Sequence, residues 1–140
     1  MTDNLTQEQR FRNMSRIKSK NTIPELKVRS YLFSKGLRYR IHDSTIQGKP
    51  DLVFKKYRTL IFVNGCFWHG HDDCRYNTIP KTNTMYWTEK IAKNKKRDKL
   101  SYKNLSAKGW KVIVIWECEL KGKSYDKYLN KVIFRILNES

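Results

Sequence analysis

The spacing of apolar positions along the chain changes several times, and each change predicts an element. Residues 1–20 are polar and basic, with apolar side chains at Phe11, Met14 and Ile17. That i, i+3, i+6 spacing predicts a short helix laid on a surface. Thr22 followed by Pro24 predicts a capped helix start. Leu26, Val28, Tyr31, Leu32 and Phe33 fill this helix, and Gly36 ends it. A strand is expected over residues 38–42. The turn Gly48-Lys49-Pro50 leads into a short strand, Asp51-Leu52-Val53-Phe54. The β-rich run Thr59-Leu60-Ile61-Phe62-Val63 reads as a buried strand.

Residues 65–83 carry no period and read as loop. From about residue 84 to 108 the pattern is helical, with Trp87, Ile91, Asp98 and Leu105 on one face and Gly109 as the stop. Trp110-Lys111-Val112-Ile113-Val114-Ile115-Trp116 is the clearest candidate for a buried strand. A last helix over about 125–137 has the stripe Tyr125, Tyr128, Leu129, Val132, Ile133 and Ile136. Helix, three strands, helix, strand, helix is the order expected of an α/β fold, a small mixed β-sheet flanked by helices.

The length, 140 residues, suits a single domain spanning 1–140 with one core. Charge adds the first functional information. Thirty Lys and Arg against thirteen Asp and Glu leave a net +17, which calls for a polyanionic partner. Nucleic acid leads, with residues 1–20 as a basic contacting segment, and an acidic membrane surface is the alternative. No apolar run approaches the roughly 20 residues that cross a bilayer. The polar N-terminus lacks a signal-peptide core, so a soluble, cytoplasmic protein is expected.

Three cysteines do not make a disulfide framework. Cys66-x4-His71-x2-Cys74 lies in the loop, and Cys118 follows the strand at 110–116. Three thiolates and an imidazole suit a closed, tetrahedral, structural Zn²⁺ site that would tie the loop to a distant strand. Three unrelated buried cysteines are the alternative, against which the polar neighbours Asp72, Asp73 and Arg75 speak.

Asp51 follows Pro50 at a strand start, where a carboxylate can hold a hard cation such as Mg²⁺ against a scissile phosphate. The dipeptide alone is a weak signal, since most such pairs are turns. His69 lies between two proposed zinc ligands and is a candidate general base, a fourth zinc ligand or a surface histidine. His42 has no supporting neighbours in sequence and reads as structural. Glu25 and Asp98 are lone helix acids, solvated charges or site residues. Asp98 is the stronger candidate because it lies on an apolar stripe.

Lys90, Asn94 and Asp98 are spaced i, i+4, i+8 on the same helix face. Lysine suits phosphates, and asparagine suits base edges. Phe67-Trp68 places two large aromatics in a polar loop, as a small local core or as an apolar wedge between base pairs. Met14 is a second candidate wedge.

Long, ordered stretches of the chain resemble the very short patch repair (Vsr) DNA mismatch endonucleases. They are Gly48-Lys49-Pro50-Asp51, the run from Ile61 through Cys66-Phe67-Trp68-His69-Gly70-His71, Trp87 to Asn94, and Gly109 to Cys118. The resemblance covers roughly residues 8–125. It implies a restriction-endonuclease-like fold and Mg²⁺-dependent cutting of one strand, 5′ of the thymine in a T·G mismatch left by 5-methylcytosine deamination. It implies Mg²⁺ on Asp51 and the Val63 carbonyl, with Glu25 and Asp98 acting through water and His69 as general base. It implies structural zinc on Cys66, His71, Cys74 and Cys118. Met14, Phe67 and Trp68 would intercalate, and Lys90 and Asn94 would read the mismatched pair.

The expected partner is double-stranded DNA with a T·G mismatch, met by a monomer, with mismatch-repair proteins as candidate partners. Asn64 stands where many relatives have histidine. The loop from His71 to Cys74 is one residue longer than in some relatives, and zinc favours the Cys74 thiolate over Asp73. The competing readings are a restriction- or homing-type endonuclease cutting matched DNA, and a zinc-stabilised DNA-binding module without catalysis.

Overall fold

Thr22 caps the first described helix as its side chain allows. Its hydroxyl accepts the Glu25 N–H at 3.3 Å, and Pro24 sits in the first turn, where a missing N–H costs nothing. The computed structural model describes residues 22–75 and 78–138. The helix expected around Phe11, Met14 and Ile17 lies outside them. Helix α1 spans Ile23–Ser34, and Gly36 follows it with φ +89°, a conformation glycine adopts without strain. Its buried stripe is Glu25, Val28 and Leu32. Leu26 and Phe33 were expected inside, but they fall off that stripe and are 43% and 52% exposed. The Arg38 guanidinium covers the Phe33 ring from 3.8 Å.

Four strands follow: β1 (Arg40–Ile41), β2 (Leu52–Phe54), β3 (Thr59–Asn64) and, after the long helix α2 (Thr84–Ala107), β4 (Lys111–Trp116). The sheet order is β1-β2-β3-β4, antiparallel across the first two pairs and parallel between β3 and β4. The parallel pair needs a crossover, which α2 supplies. A turn of 3-10 helix at Glu117–Leu120 leads to α3 (Tyr125–Asn138).

Leu52, Phe54, Ile61, Ile113 and Ile115 point to one face, against Val28 and Leu32 of α1 and Leu129, Val132 and Ile136 of α3. Val53, Leu60 and Phe62 point to the other face, against Leu105 of α2. The sheet is thus flanked by helices on both faces. Each fully buried aliphatic or aromatic side chain contributes roughly 1.5–3 kcal/mol.

Two strands differ from expectation, for the same physical reason. β1 shortens to two exposed residues because it is an edge strand, and His42 turns left-handed (φ +51°) directly after it. β4 is the opposite edge, so only Ile113 and Ile115 are buried and Trp110 stays outside the ladder. Among the described residues no helix is long and apolar enough to cross a membrane.

Candidate active site and metal centre

The strand register collects the chemistry at one end of the sheet. Asn64 pairs with Trp116 in the parallel ladder, so Cys66 and Cys118 each lie two residues beyond the last pair. β2 runs the other way, which brings Asp51, just before its start, to the same end.

Cys66, His71, Cys74 and Cys118 offer ligand atoms that all lie within 4.8 Å of one another. A tetrahedral ion with metal–sulfur bonds of about 2.3 Å would hold such atoms roughly 3.8 Å apart, so the cluster fits one. The Cys118 N–H donates to Cys66 Sγ at 3.4 Å, and Cys118 Sγ lies 3.5 Å from His71 Nδ1. Trp116 stacks on the His71 ring at 4.1 Å with 6° between planes, which sets the imidazole's orientation. Burial pushes the Cys66 thiol up to about 12, with the adjoining Cys118 and Cys74 thiols adding to the rise. A bound cation would reverse that balance and favour the thiolates. Cys74, and not Asp73, joins the cluster.

The second cluster is Glu25, His42 and Asp51, again with ligand atoms within 4.8 Å. Glu25 is only 1% exposed. Its carboxylate accepts from Arg29 Nη1 at 2.9 Å and meets His42 Nε2 at 3.1 and 3.2 Å. His42 was read as structural and without neighbours. The structure corrects this, because the β1–β2 hairpin sets it beside Asp51, with the His42 N–H donating to the Asp51 carbonyl at 3.4 Å. Asp51 Oδ2 accepts the Val63 N–H at 2.6 Å. A strand residue's N–H and C=O leave by the same edge, so the Val63 carbonyl lies on the edge that faces Asp51.

Burial raises the Asp51 carboxyl to about 8, helped by a hydrogen bond and charge from Glu25 and opposed by the Val63 N–H. Two carboxylates this close cannot both ionise readily, and they hold a shared proton. The folded value lies above the ordinary carboxylate value, so the stability it contributes is full below about 4 and is lost as pH rises towards 8. Denaturant melts of the magnesium-free protein are expected to show this decline between pH 5 and 8. Asp51→Asn flattens it, and an unchanged slope in that variant would contradict the shared proton.

His69 Nδ1 lies 2.5 Å from Asp98 Oδ2. The carboxylate holds the proton on Nδ1 and leaves Nε2 as the basic nitrogen. Asp98 is therefore not a solvated helix charge, and its place on the apolar face of α2 was the signal. Asn64 is buried and donates through Nδ2 to the Tyr102 hydroxyl at 2.7 Å. Burial pushes Tyr102 up to about 12, with further upward contributions from both Asp98 and Asp51. The Asn64–Tyr102 hydrogen bond thus ties the end of β3 to α2. Neither Asn64 nor Tyr102 stood out in the sequence as part of that tie. The only signal for Tyr102 was its spacing of four residues from Asp98.

Phe67 and Trp68 are half-buried and pack edge-on with Trp87, at centroid distances of 5.3 to 5.5 Å. Asn94 is 7% exposed and donates to the Trp68 carbonyl at 2.9 Å, so here it anchors the aromatic loop to α2. Lys90 is exposed. Gly70 seats the same loop on α2. It has φ +61°, and an added Cβ would lie 2.6 Å from both Ile91 Cγ2 and Lys95 Cδ. Gly70→Ala is expected to cost about 1–3 kcal/mol in a denaturant melt. A melt matching wild type would contradict this close seating.

The family model of DNA mismatch endonuclease Vsr matches residues 2–75. The DNA mismatch endonuclease Vsr of Escherichia coli is 41% identical over 114 residues, covering 81% of this chain and 72% of that protein. The chain belongs to the Vsr family. This Vsr-family protein is a DNA endonuclease of mismatch repair. It is also 48% identical over 137 residues to the type II nicking enzyme V.NmeAIP of Neisseria meningitidis, covering 97% of each chain. The type II nicking enzyme V.XorIIP of Xanthomonas oryzae is 48% identical over 120 residues, covering 86% of this chain and 88% of that enzyme.

Proposed function

We propose that this endonuclease cuts one DNA strand on the 5′ side of the thymine in a T·G mismatch, with Mg²⁺ at Asp51. Such mismatches follow deamination of 5-methylcytosine, and the nick starts their very short patch repair. The observation that carries the reading is that the Glu25–Asp51 pair and the His69–Asp98 pair lie at the same end of the sheet. A mixed sheet with helices on both faces and its acids at one end is consistent with a restriction-endonuclease-like fold.

The donors suit a hard cation: the Asp51 carboxylate and the Val63 carbonyl directly, with Glu25 and Asp98 through water. Mg²⁺, when bound, supplies positive charge that polarises the scissile phosphate and eases departure of the leaving oxygen. The chain's own residues do the rest. His69 Nε2 takes the proton of the attacking water, and Asp98 holds the ring and stabilises the imidazolium that forms. Arg29 offsets part of the acidic charge through Glu25.

Zinc on Cys66, His71, Cys74 and Cys118 would serve as scaffold, since four protein ligands leave no open position. It would fix the loop that carries both His69 and the aromatic pair. Phe67 and Trp68, with Met14 from the segment outside the described residues, would wedge beside the mismatch and kink the duplex. That requires the pair to leave its packing on Trp87. Lys90 and Asn94 would read the T·G pair, Asn94 through a new arrangement of its amide or through its oxygen.

Cutting one labelled strand at a time tests the reading. Nicks are expected only in the thymine strand, immediately 5′ of the mismatched base. Cuts in the guanine strand, or at a fixed sequence without a mismatch, would replace it with the matched-site reading. The type II nicking enzymes among the relatives make that the second reading.

A further inference from the structure

We infer that His42 is a nitrogen ligand of the active-site cation, giving the site a preference for Mn²⁺-like transition ions over Mg²⁺. The inference rests on the reading of Asp51 as a cation ligand and extends it to a residue outside that set.

The cluster is a mixed one, made of two carboxylates and one imidazole, with a ligand atom of each within 4.8 Å of the others. His42 Nε2 is nearly equidistant from the two Glu25 oxygens, at 3.2 and 3.1 Å. Neighbouring ligand atoms on an octahedral ion with bonds of about 2.1 Å are roughly 3 Å apart. That spacing, which a hydrogen bond between them also gives, would let the ring nitrogen and a Glu25 oxygen take adjacent positions on one ion, with Glu25 then bound directly rather than through water. The backbone aims the ring there. His42 takes φ +51°, a conformation uncommon outside glycine, directly after β1, and its N–H is held by the Asp51 carbonyl.

Ligand chemistry gives the consequence. Oxygen donors alone suit Mg²⁺ and Mn²⁺ alike, whereas an imidazole donor strengthens binding of the transition ion. A further protein ligand just after β1 would also link the cation to the hairpin edge, so that the ion would brace the hairpin against α1.

The test uses the zinc-loaded full chain with Mn²⁺ alone as the probe, read by electron spin-echo modulation from nitrogen bonded to the ion. Nitrogen modulation is expected in wild type and in His69→Ala, and is lost in His42→Gln and His42→Ala. Mn²⁺ binding should weaken at least about tenfold in the His42 variants, with Mg²⁺ competition nearly unchanged. The glutamine variant keeps an amide that can donate to Glu25, which guards against simple loss of folding.

Modulation that persists in His42→Gln, or that vanishes in His69→Ala instead, overturns the proposal. Mn²⁺ bound at Asp51 with no nitrogen modulation in wild type also overturns it, as a ring that is only hydrogen-bonded would give. Mn²⁺ binding that is indifferent to Asp51→Asn fails the underlying cation site as well, and so is told apart from failure of His42 alone.

Discussion

Asp51→Asn abolishes strand cutting while DNA binding stays within about threefold of wild type. The asparagine is nearly the same shape, and its side-chain oxygen can still accept the Val63 N–H that Asp51 now accepts at 2.6 Å. What it removes is the negative charge proposed to hold the cation. A cation that stabilises developing charge contributes several kcal/mol to the transition state. At about 1.4 kcal/mol per factor of ten, the rate falls by roughly a thousandfold or more. Folding does not suffer, because the substitution also ends the repulsion between Asp51 and the buried Glu25. Single-turnover cutting and a binding titration on the same mismatched duplex separate the two effects. Appreciable cutting by the variant would remove Asp51 from the cation site.

Cys118→Ser loses bound zinc and destabilises the protein by about 3–5 kcal/mol, the scale expected when a structural metal site is broken. Cys118 joins the 3-10 turn after β4 to the loop after β3, and its N–H and sulfur meet Cys66 and His71. A serine oxygen is a harder, weaker ligand for zinc. Cutting falls with zinc content although no proposed catalytic group is changed, because His69, Phe67 and Trp68 lie in the same loop between Cys66 and His71. Metal analysis and thermal melting check this. Full zinc content with an unchanged melt would break the four-residue ligand set.

The parts legible in the sequence are those where local chemistry leaves few options. Thr22-Ile23-Pro24 states a helix start, and the structure has that cap. Thr59–Val63 reads as buried because it is nearly all apolar and β-rich, and it makes up most of a central strand, Thr59–Asn64. Three cysteines and a histidine in a basic, polar chain point to a metal cluster, and the parallel register brings them together. Asp98 could be singled out in the sequence only as the better of two lone helix acids, by its place on an apolar stripe, and the structure gives it His69 as a partner.

The parts not legible depend on tertiary pairing. Helix acids usually face water, and nothing near Glu25 announces that the β1–β2 hairpin buries it beside Asp51. His42 is isolated in sequence and becomes informative only when its pairing places it across from Asp51. Asn94 shares its helix face with Lys90 but turns to the Trp68 carbonyl, because the metal-cluster loop folds over α2. The run from Trp110 looks fully buried by composition and is an edge, since apolar content does not reveal which strand is last in a sheet.

In the proposed mechanism one loop couples recognition of a mispaired thymine to cutting. The most direct measurement compares two duplexes of identical flanking sequence, one with T·G and one with C·G, under single-turnover conditions with Mg²⁺ and zinc-loaded protein. Rapid nicking of the T·G duplex in the thymine strand is expected, with little of the C·G duplex. Equal rates on both duplexes, or tight binding of the T·G duplex without any nick, would contradict the mechanism.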